Sequence, residues 1–302
     1  MNRSRTALAL LVALVALSGC NRYLPELFEA SPSANPTGAP PPTTTPIPLA
    51  ASVNGEPITL EQFEQEVGRF ERARQASGID LATLGTYREQ VLSAMIDLKL
   101  LAQSARAQSL SPDPAGFEQR YAALVEELGG ETGLNAWLQS QGMSQEQLRA
   151  SLEEQVLGAS MVEQIVEAVP GEVEQVHARH ILVASRQEAE VLQGQLASDA
   201  DFATLANQAS LDISTRPAGG DLGWFPAGYL RLPQLEEAAF SLEPGQVSGI
   251  VETELGYHLV QTIERGVHRT DADVLRWLRE QAVLDWLAQA RAEAGIELFI
   301  TP

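Results

Sequence analysis

Ala218-Gly219-Gly220-Asp221-Leu222-Gly223-Trp224-Phe225 places three glycines around one acidic residue and then runs into two aromatics. The glycines permit a tight backbone path that other residues resist, and the aromatic end reads as a strand. Upstream, Val176–Val183 alternates, with Val176, Ala178, His180 and Leu182 on one face and His177, Arg179, Ile181 and Val183 on the other. Two helical stretches separate these strands, Gln187–Leu196 and Asp201–Ala209, each carrying an apolar stripe such as Ala189, Leu192 and Leu196. Downstream, residues 233–241 read as a third helix, Glu243-Pro244-Gly245 as a turn, Val247–Glu252 as a strand and Gly256–Ile263 as the last strand. An order β-α-α-β-α-β-β within roughly 90 residues is that of a compact α+β domain.

On the N-terminal side the period changes. Ser52–Thr59 alternates around Asn54-Gly55 and reads as a hairpin; Thr59 and Gln62 form a capping-box pattern that opens a helix. Leu84, Tyr87, Val91, Met95, Leu98 and Ala102 recur at helical spacing. So do Leu148, Leu152, Val156, Ala159, Val162 and Val166, behind a second capping box at Ser144 and Gln147. Residues 51–170 hold no histidine, and their 18 acidic and 8 basic residues are scattered, so catalysis is not expected there. Core packing and an apolar groove for client chains both fit these stripes.

At the other end, residues 270–295 read as one helix with Leu275, Leu278, Ala282, Trp286 and Ala290 on a face too wide to leave exposed. Ile296–Ile300 reads as a short strand suited to pairing near Val53. At the start of the chain, the basic Asn2–Arg5 precedes an apolar run, Thr6–Leu17, shorter than the roughly 20 residues of a membrane span. That is signal-peptide architecture. Leu17-Ser18-Gly19-Cys20 resembles the bacterial lipobox, which implies cleavage before Cys20 and a lipid on its sulfur. Pro25, Pro32, Pro36, Pro40-Pro41-Pro42, Pro46 and Pro48 follow, a composition that favours an extended spacer.

The 302 residues carry a formal net charge of −20 with 44% hydrophobic residues, so the chain can build a core and phosphate backbones repel it. Lys99 is the only lysine and the arginines are scattered, so no nucleic-acid partner is expected. With Cys20 the single cysteine, neither an internal disulfide nor a cysteine-rich zinc site can form.

Four segments, His180-Ile181-Leu182-Val183, Gly219–Phe225, Glu236-Glu237-Ala238-Ala239-Phe240-Ser241-Leu242 and Gly256-Tyr257-His258, resemble the parvulin-type (PpiC, rotamase) peptidyl-prolyl cis-trans isomerase domain, in that family's order. The hairpin and helices before them resemble the N-terminal chaperone domain of SurA- and PrsA-type foldases. The resemblance implies an α+β architecture. A mostly helical chaperone domain would receive an inserted parvulin domain, built on an antiparallel or mixed four-stranded sheet with surrounding helices, and a C-terminal helix would return to it. The expected organisation is a signal peptide over residues 1–19, a lipid-anchored spacer over 20–50, a helical domain over 51–170, the isomerase domain over 171–268, and a returning helix and strand over 269–302.

By motif position the resemblance implies an active-site cluster of His180, Asp212, Thr253 and His258, with Leu222, Leu230, Leu235 and Phe240 lining or backing a proline slot. Leu230 and Leu235 stand where Met and Phe are common in the family. The histidines admit a structural reading as well, since two ring nitrogens can tie strands together. The implied function is a lipid-anchored, extracytoplasmic isomerase and foldase acting on unfolded exported proteins through their X-Pro bonds. It calls for no metal, other cofactor or covalent nucleophile. The alternative is a parvulin-fold holdase that binds unfolded clients with little or no turnover.

Overall fold

The computed structural model describes residues 47–110 and 114–301. The expected signal peptide, Cys20 and nearly all of the spacer lie outside the described residues. Two compact units emerge, one formed by the chain up to Glu167 together with Ala282–Pro302, the other by Ala168–Gln281. Among the described residues no helix is long and apolar enough to cross a membrane.

In the first unit, β1 (Leu49–Val53) and β2 (Glu56–Thr59) form the hairpin, starting inside the stretch read as spacer. Asn54 and Gly55 take the positive φ of 51° and 82° that such a turn needs. The capping box at Thr59 and Gln62 opens α1 (Leu60–Ala76), and a 3-10 turn, Leu81–Thr83, leads to α2 (Tyr87–Ala107). Then come α3 (Pro114–Glu127), α4 (Glu131–Gln141) and α5 (Gln145–Glu167). The stripe expected on α2 is displaced: Leu84 precedes the helix and Met95 and Leu98 are half-buried, while Leu92, Ile96, Leu100 and Leu101 are buried. The cause is packing on two sides. Val91, Leu92, Ile96 and Leu100 join the hairpin and α1, whereas Leu101, Ala102 and Ala105 join α5 and the C-terminal helix.

On α5 the buried positions are Leu148, Leu157, Gly158 and Met161, so the expected run through Val156, Ala159 and Val162 is only half-buried. A Cβ at Gly158 would lie 2.6 Å from Leu98 Cδ1, so α2 and α5 cross closely at this glycine.

The second unit is built on a four-stranded sheet, every pair antiparallel, in the order β4-β3-β6-β5. Its elements are β3 (Glu172–Val183), α6 (Arg186–Leu196), α7 (Phe202–Ala209), β4 (Asp221–Phe225), α8 (Pro233–Ser241), β5 (Val251–Thr253) and β6 (Gly256–Arg269). A 3-10 turn, Arg216–Ala218, precedes β4. The alternation of β3 divides two cores. Ile181 and Val183, with Leu259, pack on Ala189, Leu192, Phe202, Leu205 and Ala206 of α6 and α7. Val176 and Ala178, with Val260, pack on Phe225 and on Leu235 and Ala239 of α8.

The strand expected over 247–252 is shorter. Only Val251–Thr253 pairs as a strand, and Val247 makes a single bridge to Gln261. Between them the Ser248 hydroxyl takes the Val260 N–H at 3.0 Å, a role a backbone carbonyl would play in a continuous ladder.

After β6, α9 (Ala272–Glu293) leads to β7 (Ile296–Leu298). The division between the units falls inside α9. Trp277 meets Tyr229 edge-on at 5.3 Å, while Val283 and Leu287 pack with Leu101 and Leu157. β7 pairs antiparallel with β1, Val53 opposite Ile296, which completes the sheet β2-β1-β7. Near its end α9 places Arg291 Nε 2.6 Å from the buried Asp97, with Arg291 Nη2 on the Ser93 carbonyl and hydroxyl at 2.8 and 2.7 Å. Burial raises the Asp97 pKa and the guanidinium opposes the rise. Removing one partner strands a buried charge, so Arg291→Ala should destabilise the first unit by about 2 kcal/mol, less than a fully buried pair because Arg291 keeps some solvent. Arg276→Ala, which breaks an exposed pair with Asp273, should cost under about 0.5 kcal/mol. Chemical denaturation followed by helical circular dichroism compares the two variants.

Candidate active site

Two central strands carry the histidines. His180 on β3 lies opposite Val260, and His258 on β6 lies opposite Leu182, so both rings project from the same sheet face. Their Nδ1 atoms approach to 3.1 Å and the rings stack at 5.4 Å. Both are buried, His258 at 0% exposure.

A loop after α7 brings in Asp212. The Leu211 N–H bonds the Leu182 carbonyl at 2.7 Å, and the buried Ser210 hydroxyl accepts from the N–H groups of Leu182 and Asp212. Asp212 Oδ2 then lies 2.8 Å from His180 Nε2. Its other oxygen accepts the Ser214 N–H at 3.0 Å and the Ser214 hydroxyl. Thr215 Oγ1 donates to Asp212 Oδ2 at 2.7 Å and sits 3.1 Å from His180 Nε2. At the far end Thr253 Oγ1, at the close of β5, lies 2.8 Å from His258 Nε2 and accepts the Leu255 N–H at 3.1 Å.

Partial burial alone would raise the Asp212 pKa, but the hydrogen bonds from Ser214, Thr215 and His180 outweigh it and hold the carboxyl well below its usual range. Burial lowers the His258 pKa to about 4, helped by His180 and opposed by Asp212. Each ring nitrogen of the two imidazoles thus has a hydrogen-bond partner in the row. His180 Nε2–H donates to the Asp212 carboxylate.

The approach of the glycine turn fixes this end of β3. Gly220 accepts the His180 N–H through its carbonyl at 2.9 Å, and a Cβ on Gly220 would lie 2.1 Å from the His180 carbonyl oxygen. Its φ of 84° disfavours side chains in any case. The next strand carries a bulge, for Ala178 pairs with Gly223 and Arg179 with Asp221, leaving Leu222 as the extra residue.

Leu222, Leu230 and Phe240 are half-buried around the cluster formed by Val176, Ala178, Phe225, Leu235, Ala239 and Val260. This cluster adjoins the histidines through Val260 and through Val251, the residue opposite His258. Leu235 stands apart from the other three. At 3% exposure it belongs to the core, where it can shape a slot only from behind. Thus His180, Asp212, Thr253 and His258 form one hydrogen-bonded row beside an apolar patch. Thr215, Ser214 and Ser210 were missed, although Asp212-Ile213-Ser214-Thr215 carries the signal of a carboxylate turn capped by hydroxyls. Among the described residues no group of three or more His, Cys, Asp or Glu is placed to hold a metal ion.

Comparison with known proteins bears on this geometry. Residues 172–264 match the PPIC-type PPIASE domain model, and residues 6–162 match the SurA-like N-terminal domain model, over half of the chain. Foldase protein PrsA of Caldanaerobacter subterraneus subsp. tengcongensis is 30% identical over 242 residues, 71% of this chain and 72% of that protein. Chaperone SurA of Bordetella avium is 38% identical over 147 residues, 42% of this chain and 29% of that protein. Among solved structures, Peptidylprolyl Isomerase (PrsA) from Bacillus cereus is 22% identical with a TM-score of 0.45, covering 82% of this chain and 90% of that one. With an isomerase domain behind a SurA-like domain, and a foldase relative matched over most of both lengths, the chain belongs to the PrsA foldase family and is a peptidyl-prolyl cis-trans isomerase.

Proposed function

We propose that the chain is a lipid-anchored, extracytoplasmic foldase that isomerises X-Pro bonds of exported proteins on the face formed by His180, Asp212, Thr253 and His258. The observation that carries this reading is the row of hydrogen bonds from Asp212 to Thr253 lying beside the apolar patch of Leu222, Leu230 and Phe240. The Leu17–Cys20 motif and the foldase relatives support the anchor and the compartment. In the same reading the helical segments 51–170 and 269–302 form one discontinuous chaperone domain around the isomerase insert at 171–268. That domain would hold the unfolded client.

Rotation about X-Pro must overcome amide resonance, an intrinsic barrier of about 18–20 kcal/mol. The enzyme therefore binds the twisted amide better than the planar one. Leu222, Leu230 and Phe240 would grip the proline ring, with Leu235 behind them. Beneath the bond, every polar group of the two imidazoles is already engaged, and His258 is sealed from solvent. Such a floor offers the carbonyl little hydration and so favours the less charge-separated, twisted amide. No proton needs to move. Asp212 fixes the His180 tautomer, and through it the orientation of both rings.

Protease-coupled isomerisation of plain X-Pro peptides tests the site. Wild type should show clear catalysis and Asp212→Ala should lower kcat/KM by roughly tenfold, which corresponds to about 1.4 kcal/mol. A folded protein without catalysis that still suppresses client aggregation would instead establish the holdase. Phosphorylation should confer no advantage. Arg186, the cation of the Ala184–Glu188 segment after the first histidine, already faces Glu252 at 3.6 Å. Arg186→Ala should therefore affect phosphorylated and plain Ser-Pro peptides equally, and selective loss on the phosphorylated one would refute this.

The buried histidine also sets a pH dependence of stability. Its folded pKa of about 4 lies below the ordinary 6.5, so the unfolded chain binds more protons between those values. Stability from His258 is complete near neutral pH and is lost as pH falls from about 6.5 to about 4. The Asp212 contribution has the same sign at still lower pH, being lost as the carboxylate is protonated. Chemical denaturation from pH 7 to 4.5 should show a shallower decline for His258→Gln than for wild type.

A further inference from the structure

The turn between β4 and α8 carries Leu230, one wall of the proposed proline slot, and its own backbone holds it weakly. The bond from the Tyr229 N–H to the Pro226 carbonyl is long, at 3.4 Å. Two side chains from elsewhere in the second unit hold the turn instead. The first is Glu236, in the opening turn of α8. One of its carboxylate oxygens accepts the Gly228 N–H, and the other accepts the Leu230 N–H at 2.9 Å. Hydrogen bonds to a charged acceptor are the stronger kind, and these two fix the backbone on both sides of Tyr229.

The second is Trp277 of α9. Its indole meets the Tyr229 ring edge-on, with centroids 5.3 Å apart and planes at 88°. A Cβ on Gly228 would lie 3.3 Å from the same indole, so Trp277 also covers the backbone that Glu236 binds. Tyr229 and Leu230 both pack on the cluster of Phe225, Leu235 and Ala239, where Leu222 and Phe240 also sit. Trp277 lies beyond residue 264, where the match to the isomerase domain model ends, yet inside the unit that closes at Gln281.

We propose that Glu236 and Trp277 are positioning residues of the isomerase. Together they hold the 226–230 turn so that Leu230 is set as a wall of the slot before a peptide arrives, and the working isomerase unit includes the first half of α9. The proposal rests on the reading of Leu222, Leu230 and Phe240 as the slot. A preset wall removes an ordering cost from binding. It grips the proline ring alike in the planar and the twisted amide, so loosening it raises KM and leaves kcat in place.

Line-shape analysis of a plain X-Pro peptide by NMR gives kcat and KM separately for the full chain and its variants. Glu236→Gln puts an NH2 group, which cannot accept, where one of the two N–H groups needs an oxygen. It should raise KM by roughly fivefold, the scale of one lost hydrogen bond, with kcat little changed. Trp277→Ala should raise KM by about threefold, and Trp277→Phe, which keeps an aromatic ring against Tyr229, should restore most of that loss. Glu237→Gln, at the exposed neighbour on α8, should behave as wild type. Near-UV circular dichroism checks folding, and the Trp277 pair decides the matter if Glu236→Gln does not fold. An unchanged KM, a fall in kcat at constant KM, or a Trp277→Phe no better than Trp277→Ala overturns the positioning role while leaving the isomerase site standing. A folded wild type without catalysis overturns the reading of the site, and this role with it.

Discussion

The candidate site depends on the register of β3 against β6. Their pairing runs from Glu172 opposite Arg269 to Val183 opposite Tyr257, and within it His180 faces Val260 while Leu182 faces His258. That offset puts the two imidazoles on one face at diagonal positions, close enough for an Nδ1 to Nδ1 contact of 3.1 Å. A slip of one residue would send His258 to the face of Ile181 and Leu259, into the apolar core under α6 and α7. Both sheet faces are packed, so such a slip would also turn Leu259 toward the polar row and bury imidazole nitrogens without partners. The hydrophobic pattern of the strands thus holds the polar row in place.

Glycines complete the constraint. Gly220 lies against the His180 backbone and Gly256 against the Val183 carbonyl, which an added Cβ would approach to 2.5 Å. One closes the sheet toward β4 and the other starts β6 at the turn after Thr253. These close approaches explain why glycine-rich motifs, rather than the histidines alone, mark this fold in the sequence.

The order of elements in the second unit was readable because Val176–Val183 and Gly256–Ile263 alternate, while the segments between them carry helical stripes and turn residues. The faces of α2 and α5 were harder to read, since a helix packed on two sides has no single stripe and a glycine, Gly158, marks the close crossing of the two. The strand before Thr253 is shorter than the alternation of 247–252 predicts because a serine side chain interrupts its ladder at Ser248. At the site, the motif pointed to His180, Asp212, Thr253 and His258, but Ser210 matters through a bond to Leu182, 28 residues away, that sequence spacing does not reveal. Burial separates Leu235 from the other slot residues for the same reason, because periodicity places a residue on a helix face without saying how deeply that face is covered.

That separation bears on the two leucines that stand where Met and Phe are common. Leu235 is sealed in the core, so its side chain affects the depth of the patch and offers a bound ring no face to stack on. In the proposed slot the aromatic wall would come from Phe240 instead. Its ring is half-buried, meets Phe225 edge-on at 6.1 Å and has the Arg265 guanidinium 5.5 Å from its centroid. A ring held on both sides loses little freedom when a ligand arrives, which is the condition under which an aromatic contact contributes most. A proline entering between Leu222, Leu230 and Phe240 would therefore still meet a fixed aromatic surface. Leucine at 230 and 235 would then alter the fit of the proposed slot while leaving its apolar character in place.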